Sequence, residues 1–158
     1  MGLVEELGAG PVALDTAPFI YLIEEHPQYL PIVRPVFAAI AAGRLPAVTS
    51  GLTLLETLVQ PYRVGNAVLA ERYEAMLTRS RGLHLVEITR AVCRVAAHLR
   101  AAHAVKTPDA LHLATALLAK CPVFLTNDRE LPPVPGIRIL TVQAFLPAAS
   151  AAFLRPDR

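Results

Sequence analysis

The chain has 158 residues, 54% of them apolar, with a formal net charge of +2. This fits one domain with a substantial core, and no apolar run reaches the roughly 18 residues of a membrane span, because a charged residue or His interrupts each one. The charge alone does not announce a nucleic-acid binder, and two cysteines, Cys93 and Cys121, are too few for a disulfide framework or a zinc site and read as reduced core thiols.

Residues 1 to 10 read as a loose lead-in with Glu5 and Glu6 where a secretory signal would carry bases, so cytoplasmic residence is expected. Gly8, Gly10 and Ala13 match the spacing of a dinucleotide fingerprint, but they precede a strand instead of following one, and that reading is rejected. Val12 to Leu14 predict a strand ending in Asp15, and Thr16 with Pro18 start a helix, which makes Asp15 either a helix cap or a site residue. A helix follows over 31–42, closed by Gly43, then a very short strand over 47–49. Ser50 caps a helix through Val59, which Gln60 and Pro61 are expected to end. Leu52, Leu55, Glu56 and Val59 fall at i, i+3, i+4 and i+7, so Glu56 is the one charge in an apolar stripe, bordering either the core or a site.

Residues 66–79 predict an amphipathic helix, 83–88 a third strand, and Thr89 opens a helix through Ala102. The most informative stretch is TPDALHLATALLAKCPVFLTND, from Thr107 to Asp128. Thr107, Pro108 and Asp109 read as an N-cap, a proline already at helical φ and an acid in the first turn. Val123, Phe124 and Leu125 suit a strand covered on both faces. A helix of about twelve residues runs roughly 18 Å, and a strand of about six returns roughly 20 Å. Asp109 and Asp128 should therefore meet at one edge of the sheet. A proline-rich loop, a fifth strand over 137–140 and a short helix over 142–146 complete the chain, with a tail beyond Pro147 that reads as dispensable.

Strands alternating with helices predict an α/β fold, three layers with a central parallel sheet of about five strands. Ligands collect outside the carboxyl ends of such strands where the order reverses, which requires the first and fourth strands to be neighbours. Asp15, Asp109 and Asp128 then converge, and Glu56 reaches them from its helix, directly or across a water. Clustered carboxylates repel unless a cation intervenes, and the natural one is Mg2+ or Mn2+, which take oxygen ligands and keep waters. Metal held by acids suits hydrolysis of a phosphodiester. Thr126 and Asn127 either support this site or make ordinary strand-end turns. His112, one turn after Asp109, reads as a packed helix histidine, with the site as its alternative.

Together, the Asp15-Thr16 pair after the first strand, the Ser50 to Glu56 spacing, the Thr107 to Ala116 block and Thr126-Asn127-Asp128 resemble a PIN domain. The resemblance covers about residues 11–146. It implies a metal-dependent ribonuclease with sheet order 3-2-1-4-5, whose catalytic and metal-binding acids match Asp15, Glu56, Asp109 and Asp128, with Thr16 in support. Small members of this kind are commonly VapC-type toxins of type II toxin–antitoxin pairs. That implies cleavage of RNA, often tRNA or ribosomal RNA, a VapB-like antitoxin partner and a homodimer. The competing expectation is a catalytically silent PIN fold that binds RNA or a protein. A receiver-like signalling domain fails for want of an Asp at the third strand and a Lys after the fifth, where Glu87 and Arg138 stand.

Overall fold

Strands of three or four residues hold a sheet only if neighbouring layers bury them, and this chain supplies those layers by alternation. The computed structural model describes residues 1–148. In order, its elements are α1 (Leu3–Leu7), β1 (Val12–Leu14), α2 (Thr16–Ile23), α3 (Leu30–Ala41), β2 (Ala47–Ser50), α4 (Gly51–Arg63) and α5 (Ala67–Arg79). Then come β3 (Leu83–Val86), α6 (Arg90–Ala102), α7 (Thr107–Leu118), β4 (Val123–Thr126), β5 (Arg138–Thr141) and a 3-10 turn over Val142–Phe145. The five strands pair in parallel in the order β3-β2-β1-β4-β5, so the expected order holds and β1 lies against both β2 and β4.

The period-2 geometry of a strand divides the core in two. Val12 and Leu14 of β1 and Val123 and Leu125 of β4 join Phe19, Val33, Val36, Phe37, Ile40 and Leu77 on one face. Ala13 and Phe124 point the other way, into a cluster with Val92, Ala96, Leu99, Ala110, Leu113 and Ala114 from α6 and α7. Each fully buried Leu or Phe contributes roughly 1.5–3 kcal/mol of transfer free energy, so this two-sided burial is what holds such short strands. Gly82, before β3, has φ +81°, and a Cβ there would run into the Ile40 carbonyl oxygen, so this tight approach needs glycine.

Several local expectations change. The lead-in contains α1, whose Leu3 and Leu7 are buried and whose Glu6 pairs with Arg138 at 2.9 Å. Apolar residues four apart gave one helical face enough burial to order this short piece. Helix α4 runs through Pro61 to Arg63; the proline removes one donor, yet the helix continues past it and closes at Val64, before Gly65 at φ +67°. The stripe of Leu52, Leu55 and Val59 does not face the core: Leu55 and Val59 are exposed, while Thr53, Thr57, Leu58 and Pro61 are buried. The third strand stops at Val86, short of Ile88. Lys106, not Thr107, is the N-cap of α7; Thr107 is its first helical residue and accepts a hydrogen bond from Arg100 Nη1 at 2.8 Å. Cys121 is a buried thiol as expected, but Cys93 is exposed, on the outer face of α6. Most of the tail read as dispensable, 149–158, lies outside the described residues.

Candidate metal and catalytic site

At the carboxyl end of β1, Asp15 does two jobs at once. Its Oδ1 accepts from Thr16 N at 2.7 Å, capping α2, and its Oδ2 accepts from Thr126 Oγ1 at 2.7 Å. The alternatives of cap and site residue are therefore compatible, because each carboxylate oxygen keeps a free lone pair. The Asp15 N–H also donates to the Leu125 carbonyl at 2.9 Å, so β4 and β1 fix the backbone here.

Glu56 comes in from α4, one turn after a buried threonine set that anchors that helix to the sheet. Thr49 Oγ1 donates to the Leu14 carbonyl at 2.9 Å and lies 2.7 Å from Thr53 Oγ1. Above it, Thr16 Oγ1 donates to Glu56 Oε1 at 2.8 Å, and His112 Nε2 lies 2.7 Å from the same oxygen. No water is needed to bring Glu56 to the site. The His112 contact and the Thr16 hydrogen bond hold the Glu56 carboxyl below the usual glutamate range against the opposing effect of burial. An ionised carboxylate only accepts, so the hydrogen in the short contact belongs to His112 Nε2.

His112 is the residue whose position the sequence left open, and the structure places it in the site. It is 3% exposed, and its Nε2 is also 3.5 Å from Asp15 Oδ1 and 3.5 Å from Thr16 Oγ1. Burial pushes its pKa down, but the Glu56 hydrogen bond and the charges of Asp15, Glu56 and Asp109 outweigh that, and the net shift is upward. Its Nδ1 is buried and has no hydrogen-bond partner among the described residues. The signal was available: Asp109 and His112 are three residues apart, hence on one face of α7. Once Asp109 is put at the edge, its neighbour on that face follows.

Asp109 and Asp128 complete the edge. They border a common cavity of about 80 Å³ with Lys106 and Glu130. Asp128 is held by its own turn, its N–H donating to Thr126 Oγ1 at 3.0 Å and its Oδ1 accepting from Glu130 N at 2.8 Å. The Asp109 carboxyl is pushed above the usual aspartate range, first by burial, then by the charges of Asp15 and Asp128, with Glu56 adding to them and His112 opposing. A first-turn helix position by itself favours an ionised acid by about 0.3–1 kcal/mol. Here burial and like charge prevail over it.

Asp15, Glu56 and His112 thus form a tight group, each offering one ligand atom within 4.8 Å of the others'. Asp109 and Asp128 lie outside that group and are linked to it by the field and by Thr126. Asn127, expected as a supporting residue, makes no hydrogen bond to the acids among the described residues: its Nδ2 donates to Tyr21 Oη at 2.9 Å, and its Oδ1 accepts from Gln143 N at 2.9 Å. These two bonds tie the end of β4 to α2 and to the 3-10 turn. The donor set, carboxylate oxygens with the imidazole hydrogen committed to Glu56, fits a hard divalent cation, which would neutralise the charges of Asp15, Asp128 and Glu56 that add to burial in pushing Asp109 upward.

Solved structures share this architecture. A toxin–antitoxin complex from Klebsiella pneumoniae aligns with TM-score 0.61 at 22% identity over 80% of this chain and 95% of that one. DNA-bound VapBC from Salmonella typhimurium aligns with TM-score 0.57 at 24% identity over 83% and 97%. VapC20 of Mycobacterium tuberculosis, a Sarcin-Ricin loop cleaving toxin, aligns with TM-score 0.62 at 17% identity over 75% and 91%. At these identities the likeness is one of fold. Among curated proteins, none matches the sequence. The family model of the PIN domain matches residues 12–137, which span every strand but the last and all four acids, and the chain belongs to the PIN domain family.

Proposed function

We propose that this chain is a divalent-metal-dependent endoribonuclease and the toxin half of a type II toxin–antitoxin pair. The observation that carries the reading is the convergence of acids outside the carboxyl ends of β1 and β4: Asp15 and Glu56 offer oxygens within 4.8 Å of each other, Asp109 and Asp128 line one cavity beside them, and burial together with the charges of Asp15, Asp128 and Glu56 pushes the Asp109 carboxyl upward. Carboxylates that only maintained the fold would relieve such repulsion by turning to solvent. Asp15, Asp109, Asp128 and Glu56 would hold Mg2+ or Mn2+. When bound, the ion lowers the pKa of an attacking water and neutralises the oxygen that leaves phosphorus. The chain's own contribution is orientation: Thr126 fixes Asp15 Oδ2 and the backbone of Asp128, and Thr16 fixes Asp15 Oδ1 and Glu56 Oε1.

The reading includes RNA as substrate, an antitoxin that covers the acids, and a homodimer in the cytoplasm. Leu55, Val59, Tyr62, Val64 and Val68 support the protein partners, since each is more than 40% exposed within one run of α4, the following turn and the start of α5. None of the helices over the described residues is long and apolar enough to cross a membrane.

The test is direct. Purified protein incubated with tRNA and ribosomal RNA is expected to cleave at discrete positions with Mg2+, leaving 5′-phosphate ends, and to stop in EDTA. RNA left intact in Mg2+ and Mn2+ alike, while the protein still binds RNA in a gel shift, would replace the nuclease with a silent RNA-binding module.

A further inference from the structure

The histidine in the acid cluster has a position that the four-acid reading does not use. It sits in the middle of α7, 3% exposed, yet it does not face an apolar neighbour with its polar end. Nε2 is aimed at Glu56 Oε1 at 2.7 Å, and Thr16 Oγ1 meets the same oxygen at 2.8 Å. That oxygen therefore receives two donors, and Oε2 receives none of these contacts. The other ring nitrogen, Nδ1, is buried without a partner among the described residues, so the ring's polar tie there runs toward the acids and Thr16. The unpaired Nδ1 is a cost that an apolar residue in the same helix would not carry, and packing alone does not account for it.

We propose that His112 is a positioning residue: through its Nε2–H, and together with Thr16, it occupies Glu56 Oε1 and so leaves Glu56 to meet the metal with Oε2 alone. This inference rests on the metal-site reading above and deepens it. A long glutamate arriving from α4 has rotamers that reach water, and it is one-third exposed. Two donors on one oxygen select the conformer that stays over Asp15. His112 is then an element of the site that acts through Glu56, and it is not itself a metal ligand, since its Nε2 hydrogen is committed.

The experiment reads metal binding without RNA. Mn2+ affinity is measured by calorimetry for the full chain, for His112→Leu, which keeps the volume and removes the donor, and for His112→Gln, whose amide nitrogen lies near the place of Nε2. Expected is an affinity loss of roughly tenfold in H112L, within the about 10–100-fold range for residues that orient ligands, and recovery to within about threefold in H112Q. In a Glu56→Gln background H112L should add no further loss, because there is no carboxylate left to hold. If H112L does not fold by circular dichroism, His112→Asn replaces it, its amide ending too short to reach Glu56. Wild-type affinity in H112L, equal losses in H112L and H112Q, or a full additional loss in the Glu56→Gln background would each overturn the proposal, as would absence of Mn2+ binding by the wild type. A chain that shows the expected binding pattern but leaves RNA intact would lose the nuclease reading and keep this one.

Discussion

Asp15 and Glu56 together accept four hydrogen bonds, from Thr16 twice, Thr126 and His112. Across the same edge Asp109 is shaped by burial and charge, with no hydrogen bond among the causes of its shift, and it is pushed toward protonation. One half is fixed in advance by partners from α2, β4 and α7. The other half carries the repulsion. The difference separates two ways in which a protein can assemble like charges: satisfy each acid locally, or leave one strained so that a cation gains by arriving. Thr126 is the link, because its hydroxyl donates to Asp15 and accepts from the Asp128 backbone.

The largest effects should come from breaking each half separately. Asp15→Ala and Asp109→Asn are both expected to cut RNA turnover by roughly 10²–10³-fold, since several kcal/mol of charge stabilisation depends on each metal-holding acid and about 1.4 kcal/mol is worth tenfold. Metal-free stability should separate them. Asp15→Ala removes the α2 cap and the Thr126 partner and should lower the melting temperature in EDTA, at about 1 kcal/mol for a cap and 2–4 °C per kcal/mol for a chain of this size. Asp109→Asn removes a repelled charge and should raise the melting temperature, while reducing the stabilisation gained on adding Mg2+. Thermal melts with EDTA and with Mg2+ decide it; a shift of the same sign in both variants would end the contrast between the halves.

Thr126→Val comes next in size. It is fully buried and nearly isosteric, so the change leaves Asp15 Oδ2 and Asp128 N without their partner while disturbing little packing. A turnover loss of about tenfold is expected, at the low end for residues that orient ligands, with Thr126→Ser restoring most of it. Kinetics on a cleavable RNA with both variants measure this. Equal activity in the valine variant would mean the two halves are positioned independently.

The alternation of strands and helices, and the standing of Asp15, Asp109 and Asp128 at the ends of elements, were legible in the sequence because both depend on short-range signals. The strand order came instead from the resemblance to the PIN domain, since a strand that ends in Asp before a helix, and a helix-strand pair whose lengths cancel, require β1 and β4 to be neighbours without fixing the rest. What escaped depended on long-range partners. Leu55 and Val59 match a buried period and Thr53 does not, yet Thr53 faces the sheet because Thr49 and Thr16 offer hydroxyl partners that no local pattern displays, and Thr57, one turn on, returns its hydroxyl to the Thr53 carbonyl of its own helix. Asn127 sits beside Asp128 in sequence, but its amide partners, Tyr21 and the 3-10 turn, are distant in the chain and no local pattern displays them. His112 was undecided for the same reason: its meaning rests on Glu56, 56 residues earlier in the chain.

The smallest expected effect is a pH signature of the fixed half, read in metal-free protein. Glu56 has a lowered folded pKa, so its contribution is present above its ordinary 4.5 and is lost as pH falls through the lower folded value. His112 has a raised one, so its contribution is complete below its ordinary 6.5 and is lost as pH rises through the folded value. The pair therefore stabilises most between about pH 4.5 and 6.5, the interval in which both groups are charged. Asp15 and Asp109 also face this imidazole. Asp109 has the opposite sign to Glu56: its raised pKa favours the fold below its ordinary 3.8, and that contribution is lost as pH rises through the folded value. The difference in melting temperature between wild type and His112→Leu in EDTA should be greatest inside the window and shrink by roughly 2–4 °C toward pH 8. A difference that stays flat from pH 5 to pH 8 would show that the Glu56–His112 contact is a neutral hydrogen bond whose worth does not depend on charge.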